Sequence, residues 1–184
     1  MRKTINCFIP YEENTAIDKV VTALKDSIVV NKIYLLTTAH GSMPSVPAGC
    51  EPFTIDSLNS SDTIKKIAQK ADTPFTLLYT KASPFELGYM ALERIADFLQ
   101  DRKTGMVYAD HYEWKEGEKK KHPAIDYQPG SVRDDFDFGA LLAFRSEYLI
   151  GAAGMMENER EDYRYAGLYA TRLFIACLLY TSPS

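Results

Sequence analysis

Short apolar runs alternate along the chain with segments whose apolar residues recur every three or four positions. The runs are bounded by turn residues and predict β-strands at residues 5–9, 32–37, 51–56, 74–80, 105–110 and 140–144. The periodic segments predict helices with inner faces formed by Ile17, Val20, Val21 and Leu24, by Ile64, Ile67, Ala68 and Ala71, and by Phe85, Gly88, Leu92, Ile95, Ala96 and Leu99. This alternation is typical of an α/β domain with a mostly parallel sheet.

Residues 73–112 form the clearest strand–helix–strand unit. We expect its helix at residues 85–102, with Pro84 in the first turn, where a missing N–H is no loss. Such a crossover is right-handed and leaves its two strands parallel. Ligands of open α/β sheets bind at the carboxyl ends of the strands. Residues 79–81 and 108–110 are therefore expected near a binding site.

The remaining segments predict an arm, a loop and further helices. Residues 112–127 are expected to form a hairpin arm that turns near residues 116–117, followed by a polar loop at 130–139. The basic run 119–122 on this arm is typical of a solvated surface, with phosphate contact as the alternative. Further helices are expected at residues 146–150 and 163–176, and helix caps at Asn14, at Ser60 or Ser61, and at Ser146.

Composition limits the classes of function that are open to the chain. Its 184 residues suffice for one domain with a core, and the sequence shows no internal repeat or interdomain linker. Asp and Glu (25) outnumber Lys and Arg (21), so the net charge of −4 argues against nucleic acid as a partner. No apolar run approaches the roughly 20 residues of a membrane-spanning helix.

The three cysteines, Cys7, Cys50 and Cys177, lack the spacing of metal ligands. An odd number of cysteines suits a reducing cytoplasm better than a disulfide scaffold. Cys7 lies inside the first predicted strand, where we expect it in the core rather than as a nucleophile.

Residues 177–184 fit the rest of the chain poorly. They resemble the translated adapter tail found at the ends of unrelated reading frames, so we expect a non-native tail here. On this hypothesis residues 1–176 form a single domain that is incomplete at its C-terminus, and the natural chain diverges near Ala176. A genuine stop codon after Ser184 in independent assemblies of the source DNA would refute it.

Four motifs, in their order and spacing, resemble the family 2 glycosyltransferases. The first strand ends in Cys7-Phe-Ile-Pro-Tyr11, and Ala91-Leu-Glu-Arg94 leads to Val-Tyr-Ala-Asp at 107–110, where the family has V-Y-S-D. Residues 130–145 resemble the family's acceptor-side loop and the strand after it. Residues 167–173 stand where the family often has E-D-x-D-L-x-x-R-L. The resemblance implies the GT-A fold, a three-layer αβα sandwich with a central, mostly parallel sheet.

The same resemblance implies transfer of a sugar from a nucleotide-diphosphate donor to an acceptor hydroxyl, with inversion. The implied partners are a nucleotide-diphosphate sugar and a saccharide or lipid-linked acceptor. The implied location is the cytoplasm, either free or at the inner face of the membrane. In the family the departing diphosphate is normally neutralised by Mg²⁺ or Mn²⁺ on a D-x-D pair, and the acceptor hydroxyl needs a carboxylate base.

Positions that match the family's donor site give the candidate nucleotide-sugar-binding residues. Pro10 and Tyr11 follow the first predicted strand, and Asp56 ends the third, where family members hold the base and ribose. At the D-x-D position the chain reads Tyr79-Thr80-Lys81, so Lys81 either supplies the positive charge without a metal or points into solvent. Asp110 is a candidate contact to the donor sugar or to the metal, or else a turn aspartate.

The family's usual position for the catalytic base carries no group that can take a proton, since it reads Gly167-Leu168 and Ala170. Asp162, just upstream, is the nearest substitute. Asp134 and Asp135, in the polar loop at 130–139, are the other candidates for the base or for a metal ligand. The alternative is a loop that is simply solvated.

These departures leave two alternatives to a glycosyltransferase. One is a non-catalytic glycosyltransferase-like binding module that has lost the metal-binding D-x-D. The other is a nucleotidyltransferase on a similar sheet. The latter calls for a loop rich in Gly and Arg or Lys after the first strand, where this chain has Tyr-Glu-Glu-Asn at 11–14.

Overall fold

The computed structural model describes residues 3–12, 17–38, 46–108, 111–115, 118–122, 138–158 and 163–181. Within these residues the strands are β1 (Ile5–Pro10), β2 (Val30–Thr38), β3 (Glu51–Ile55), β4 (Phe75–Tyr79), β5 (Met106–Tyr108), β6 (His111–Lys115), β7 (Glu118–His122) and β8 (Leu141–Arg145). The helices are α1 (Asp18–Asp26), α2 (Ser61–Gln69), α3 (Ala91–Gln100), α4 (Ser146–Asn158) and α5 (Gly167–Thr181).

The central sheet has six strands in the order β3-β2-β1-β4-β8-β5. Strand β1 pairs in parallel with β2 and β4, and β2 pairs in parallel with β3. Strand β8 lies antiparallel between β4 and β5. Strands β4 and β5 are thus parallel, as predicted for the strand–helix–strand unit, but β8 separates them. The expected mostly parallel sheet is confirmed.

Both faces of the sheet are apolar, and helices cover each of them. On one face Cys7 and Ile9 of β1 pack with the inner sides of α1 and α3. On the other face Phe8 packs with residues of α2, α4 and α5. A strand buried on both faces reads as a continuous apolar run, which is the pattern of residues 5–9. The predicted three-layer αβα architecture is confirmed.

Two of the predicted helix caps are wrong, and one is confirmed. Ser60 is the N-cap of α2, and its hydroxyl oxygen accepts a hydrogen bond from the Thr63 N–H at 3.2 Å. Helix α1 has Ile17 rather than Asn14 at its N-cap, because burial of Ile17 in the core fixes where the helix starts. Ser146 is already the first residue of α4, and its hydroxyl lies 2.8 Å from the Thr76 hydroxyl.

Helix α3 begins at Ala91, six residues later than its apolar periodicity predicted. Pro84 therefore does not lie in a helical turn. The reason is a competing contact, since the ring of Phe85 packs against Tyr79 with centroids 4.2 Å apart. Met90 precedes the helix in the left-handed conformation, with φ of 51°. The rest of the predicted stripe, from Leu92 to Leu99, is buried as expected.

The two last helices also differ from their predicted lengths. Helix α4 continues to Asn158, eight residues beyond Ile150, and α5 starts at Gly167 rather than at residue 163. Helix α5 runs on to Thr181, so residues 177–181 of the expected tail are helical. That the tail is non-native stays a prediction. The expected hairpin arm is confirmed, since β6 and β7 pair antiparallel in a sheet of their own.

In the part of the chain that the structure describes, no helix combines the length and apolar character that crossing a membrane requires.

Candidate functional site

The carboxyl ends of the parallel strands meet at one edge of the sheet, where β8 begins. The Tyr11 N–H donates to the Leu36 carbonyl at 2.8 Å, which ties the end of β1 to β2. The Thr80 N–H donates to the Ala140 carbonyl at 2.8 Å, and the Thr80 hydroxyl donates to the same oxygen at 3.1 Å. These bonds hold the end of β1 against β2, and the end of β4 against the residue that precedes β8. We call this region, the end of the sheet at which β1, β2, β3 and β4 finish and β8 begins, the carboxyl edge.

Pro10 and Tyr11 stand at the end of β1 and Lys81 follows the end of β4. The two strands are neighbours that pair from Ile5 and Phe75 to Phe8 and Leu78. Pro10 ends β1 opposite Leu36, and the half-buried Tyr11 packs on the core beneath α1 and α3. Lys81 is exposed and follows Thr80 directly. Their positions suit the roles predicted for them, which stay predictions.

Asp56 leaves the same edge of the sheet two strands away from β1 and is exposed. The pKa of Lys66 on α2 is raised, chiefly by its hydrogen bond to Asp62 (2.7 Å) and to a lesser extent by the charge of Asp56. Asp56 therefore lies toward helix α2, whereas Tyr11 packs toward the opposite helical layer. A base bound between them would have to lie across the end of β2.

The end of β4 does not fit a divalent metal. Tyr79 is buried, and its hydroxyl lies 3.0 Å from the Ser83 hydroxyl. Thr80 uses its hydroxyl on the Ala140 carbonyl. Mg²⁺ and Mn²⁺ prefer carboxylate oxygens, and neither residue supplies one. Among the described residues, no three His, Cys, Asp or Glu side chains gather where they could hold a metal ion.

Four predicted site residues, Asp110, Asp134, Asp135 and Asp162, lie outside the described residues. Tyr108 precedes Asp110 in the chain, and Phe138 follows Asp134 and Asp135. Tyr108 and Phe138 are described and contact each other. The ring of Tyr108, at the end of β5, meets the ring of Phe138 edge to face, with centroids 4.9 Å apart. Phe138 precedes β8 and is buried.

Sequence reasoning drew no attention to Arg172, which the structure brings to Phe138. Its guanidinium carbon lies over the ring of Phe138, 4.3 Å from the centroid, in the layer that contains α2, α4 and α5. A signal was present in the sequence, because Arg172 is the sole charged residue of Gly167–Thr181. The family motif drew attention instead to the absent carboxylates at residues 167–170.

Cys7 has no exposed surface, and burial raises the pKa of its thiol because the thiolate would lose its hydration. A thiol of this kind is a poor nucleophile at neutral pH. The prediction that Cys7 belongs to the core is confirmed.

No model of a known protein family matches the chain, and no curated protein matches its sequence. Solved structures do match its fold. One is 2-C-methyl-D-erythritol 4-phosphate cytidylyltransferase from Thermus thermophilus, with a TM-score of 0.52 and 12% identity, over 95% of this chain and 84% of that one. Another is the enzyme of the same name from Francisella tularensis, with a TM-score of 0.51 and 10% identity, over 93% of this chain and 86% of that one.

At these identities the likeness concerns the fold and does not extend to a particular activity. It agrees with the six-stranded, mostly parallel sheet and its helical layers. Membership of glycosyltransferase family 2 is not confirmed by any match. The chain therefore has a mixed α/β fold similar to that of two cytidylyltransferases, with its candidate site at the carboxyl edge of the sheet.

Proposed function

We propose that the protein is a transferase that binds a nucleotide-diphosphate sugar at the carboxyl edge and passes the sugar to an acceptor hydroxyl. The observation that carries this is the placement of Tyr11 and Lys81 on neighbouring strand ends of a fold shared with nucleotide-using transferases. An aromatic ring and an ammonium group on neighbouring strand ends suit a nucleoside and its diphosphate. The acceptor would be a saccharide or a lipid-linked acceptor.

In this proposal Lys81 takes the part that a metal ion plays in related folds. The bond from the sugar to the diphosphate breaks as the acceptor oxygen attacks, and negative charge grows on the departing diphosphate. A positive group held at that point stabilises the transition state, by on the order of 3 kcal/mol for one well-placed donor. Asp134, Asp135 and Asp162 remain the proposed sources of the base that takes the hydroxyl proton.

The experiment is a titration of UDP and UDP-sugars, with either Mn²⁺ or a chelator present, read out as a change in melting temperature. A ligand at 100 times its Kd stabilises a protein by about 2.7 kcal/mol, which is roughly 5–10 °C for a chain of this size. We expect a shift that survives the chelator and is reduced in Lys81→Met. The matched control is Lys103→Met, an exposed lysine between α3 and β5, at the opposite edge. No shift with any nucleotide at millimolar concentration would rule the proposal out.

A second candidate is nucleotidyl transfer, which the names of the two similar structures favour. Such an enzyme would take a nucleoside triphosphate and release pyrophosphate. It would bind the triphosphate through the loop after β1, and there the chain has Glu12, whose charge opposes a phosphate. Incubation with cytidine triphosphate and a sugar phosphate, followed by a pyrophosphate assay, separates this candidate from sugar transfer.

The non-catalytic binding module differs from both enzymes in the experimental result that it predicts. It predicts that UDP raises the melting temperature but that no UDP-sugar is consumed over hours, with or without added acceptor.

A further inference from the structure

Residues 80–90 join β4 to α3, and we call them the β4–α3 connection. Its inward side is fixed to the core. The Ser83 hydroxyl lies 3.0 Å from the hydroxyl of Tyr79. The half-buried side chains of Phe85 and Leu87 pack on the layer that contains α1 and α3. Because the connection is held on this side, it presents its outward side chains from a defined position.

Both ends of the connection lie at the carboxyl edge. The end of α3 lies near the start of β4, because Arg145 pairs with Phe75 and donates to the Gln100 carbonyl at 2.9 Å. Helix α3 has ten residues and spans about 15 Å, and β4 has five and spans about 17 Å. Leu92, in the first turn of α3, is buried in the same core as Tyr79. The start of α3 is therefore level with the end of β4.

An aromatic ring stands in water at this start of α3. Tyr89 is 90% exposed, the highest value for a large apolar side chain in the described part of the chain, and Met90 beside it is 50% exposed. A Cβ added at Gly88 would meet no described atom within 4 Å, so the space in front of this segment is open. The surface has room for a ligand that packs on the ring.

The backbone at this surface is strained. Met90 has a φ of 51°, in the left-handed region, which is unfavourable for a residue with a side chain. Met90 is the N-cap of α3, and its side chain makes no capping hydrogen bond that would compensate. Strain of this kind persists only where the surrounding structure imposes it, and it is concentrated at functional segments. This distinguishes Tyr89 and Met90 from apolar residues scattered singly on a surface.

The chemistry of the outward residues suits a saccharide better than a phosphate. One face of a pyranose ring carries C–H groups, which pack on the electron-rich face of an aromatic ring. Glu86, three positions before Tyr89, is also exposed. Its carboxylate can accept hydrogen bonds from sugar hydroxyls, whereas its charge opposes a phosphate.

We propose that Tyr89 is a binding residue for the acceptor saccharide, whose ring stacks on the tyrosine ring while Glu86 accepts hydrogen bonds from its hydroxyls. This inference rests on the proposed function and deepens it, because it names the surface that receives the acceptor. An acceptor bound at the start of α3 is at the same edge of the sheet as the proposed donor site, which direct transfer of the sugar requires.

The test measures affinities for the methyl glycosides of glucose, galactose, mannose and N-acetylglucosamine by saturation-transfer NMR, with UDP titrated in parallel by calorimetry. For Tyr89→Ala we expect the affinity for the glycosides that wild type binds to fall about tenfold, while UDP affinity is unchanged. Tyr89→Phe keeps the ring and should bind them as wild type does. Glu86→Gln loses the charged acceptor, so glycoside affinity should fall about threefold.

The matched control is Phe98→Ala, which removes an exposed aromatic ring near the other end of α3 and should change neither affinity. Tyr89 and Phe98 are both exposed, so we expect both alanine variants to fold. Equal glycoside affinities of Tyr89→Ala and wild type would overturn the inference. A loss in Phe98→Ala as large as in Tyr89→Ala would overturn it as well, because the effect would then belong to α3 as a whole.

The failure of this inference and the failure of the proposed function are distinguishable. If wild type binds UDP but none of the glycosides, the inference is wrong and the nucleotide site stands. If wild type binds glycosides through Tyr89 but no nucleotide, the proposed function is wrong and the saccharide surface stands.

Discussion

At the scale of single residues, Cys7 shows how the core acts on a titratable group. It lies in β1 with no exposed surface, and burial raises the pKa of its thiol. In the unfolded chain a cysteine titrates near pH 8.5. Below about pH 8.5 the thiol is protonated in both states. Above it the unfolded chain loses the proton while the folded protein keeps it, so rising pH favours unfolding.

We expect the stability that wild type has over Cys7→Ala to shrink as the pH rises above 8.5. Between pH 7 and pH 10 the difference should fall by about 2 kcal/mol, since each pH unit above the unfolded pKa is worth about 1.4 kcal/mol. Urea unfolding of both proteins at several pH values measures it. Cys177→Ala, at an exposed position, is the control and should follow the wild-type slope. A difference that does not vary with pH would contradict the prediction.

At the scale of elements, the start of α5 is joined to the start of α2 by backbone contacts. The Gly167 N–H donates to the Asn59 carbonyl at 2.7 Å, and the Ser61 N–H donates to the Tyr163 carbonyl at 2.9 Å. A Cβ on Gly167 would lie 2.6 Å from backbone atoms of Ser60 and Ser61, which cannot turn aside as a side chain would. Glycine is needed here for close approach, and this approach places the start of α5 against the start of α2.

Gly167→Ala should therefore destabilise the protein by about 1–3 kcal/mol, the usual range for forcing extra volume into a packed site. Gly154→Ala is the matched control, because Gly154 lies in α4 and a Cβ added there would meet nothing within 4 Å. Alanine is the better helix former at that position, so this variant should gain up to about 1 kcal/mol. Thermal denaturation compares the two. Equal melting temperatures for the two variants would show that α5 does not sit tightly on α2.

At the scale of the whole molecule, stability is expected to differ between the central sheet and the arm. Strands β1 and β4 lie inside the sheet and are buried on both faces. Strands β6 and β7 pair only with each other among the described residues. A two-stranded hairpin alone is at best marginally stable in water. The arm should therefore open locally far more often than the sheet unfolds.

Hydrogen–deuterium exchange followed by mass spectrometry checks this difference. Amides of β1 and β4 should exchange only with global unfolding, which for domains of this kind takes about 5–15 kcal/mol. Amides of β6 and β7 should exchange orders of magnitude faster. If the amides of the arm were as strongly protected from exchange as those of β1, the prediction would be wrong, and another part of the protein or a ligand would have to cover the arm. Its basic run at 119–122 was predicted to be a solvated surface, with phosphate contact as the alternative.

The sequence by itself determined the local elements, because helical and strand periodicities are properties of neighbouring residues. The stripe of Ile64, Ile67 and Ala68 is buried as its spacing predicted, and the apolar run 5–9 is a strand buried on both faces. The location of the candidate site could also be predicted from the sequence, since Tyr11 and Lys81 come directly after predicted strands.

Only the tertiary structure decided what depends on distant partners. A short apolar run such as residues 140–144 is compatible with a parallel or an antiparallel strand. The antiparallel position of β8 between β4 and β5 could therefore not be predicted. The periodicity from Phe85 onward gave a helix that begins too early, because it takes no account of the contact between Phe85 and Tyr79. Arg172 contacts Phe138, 34 positions earlier in the chain, and sequence spacing carries no trace of such a contact.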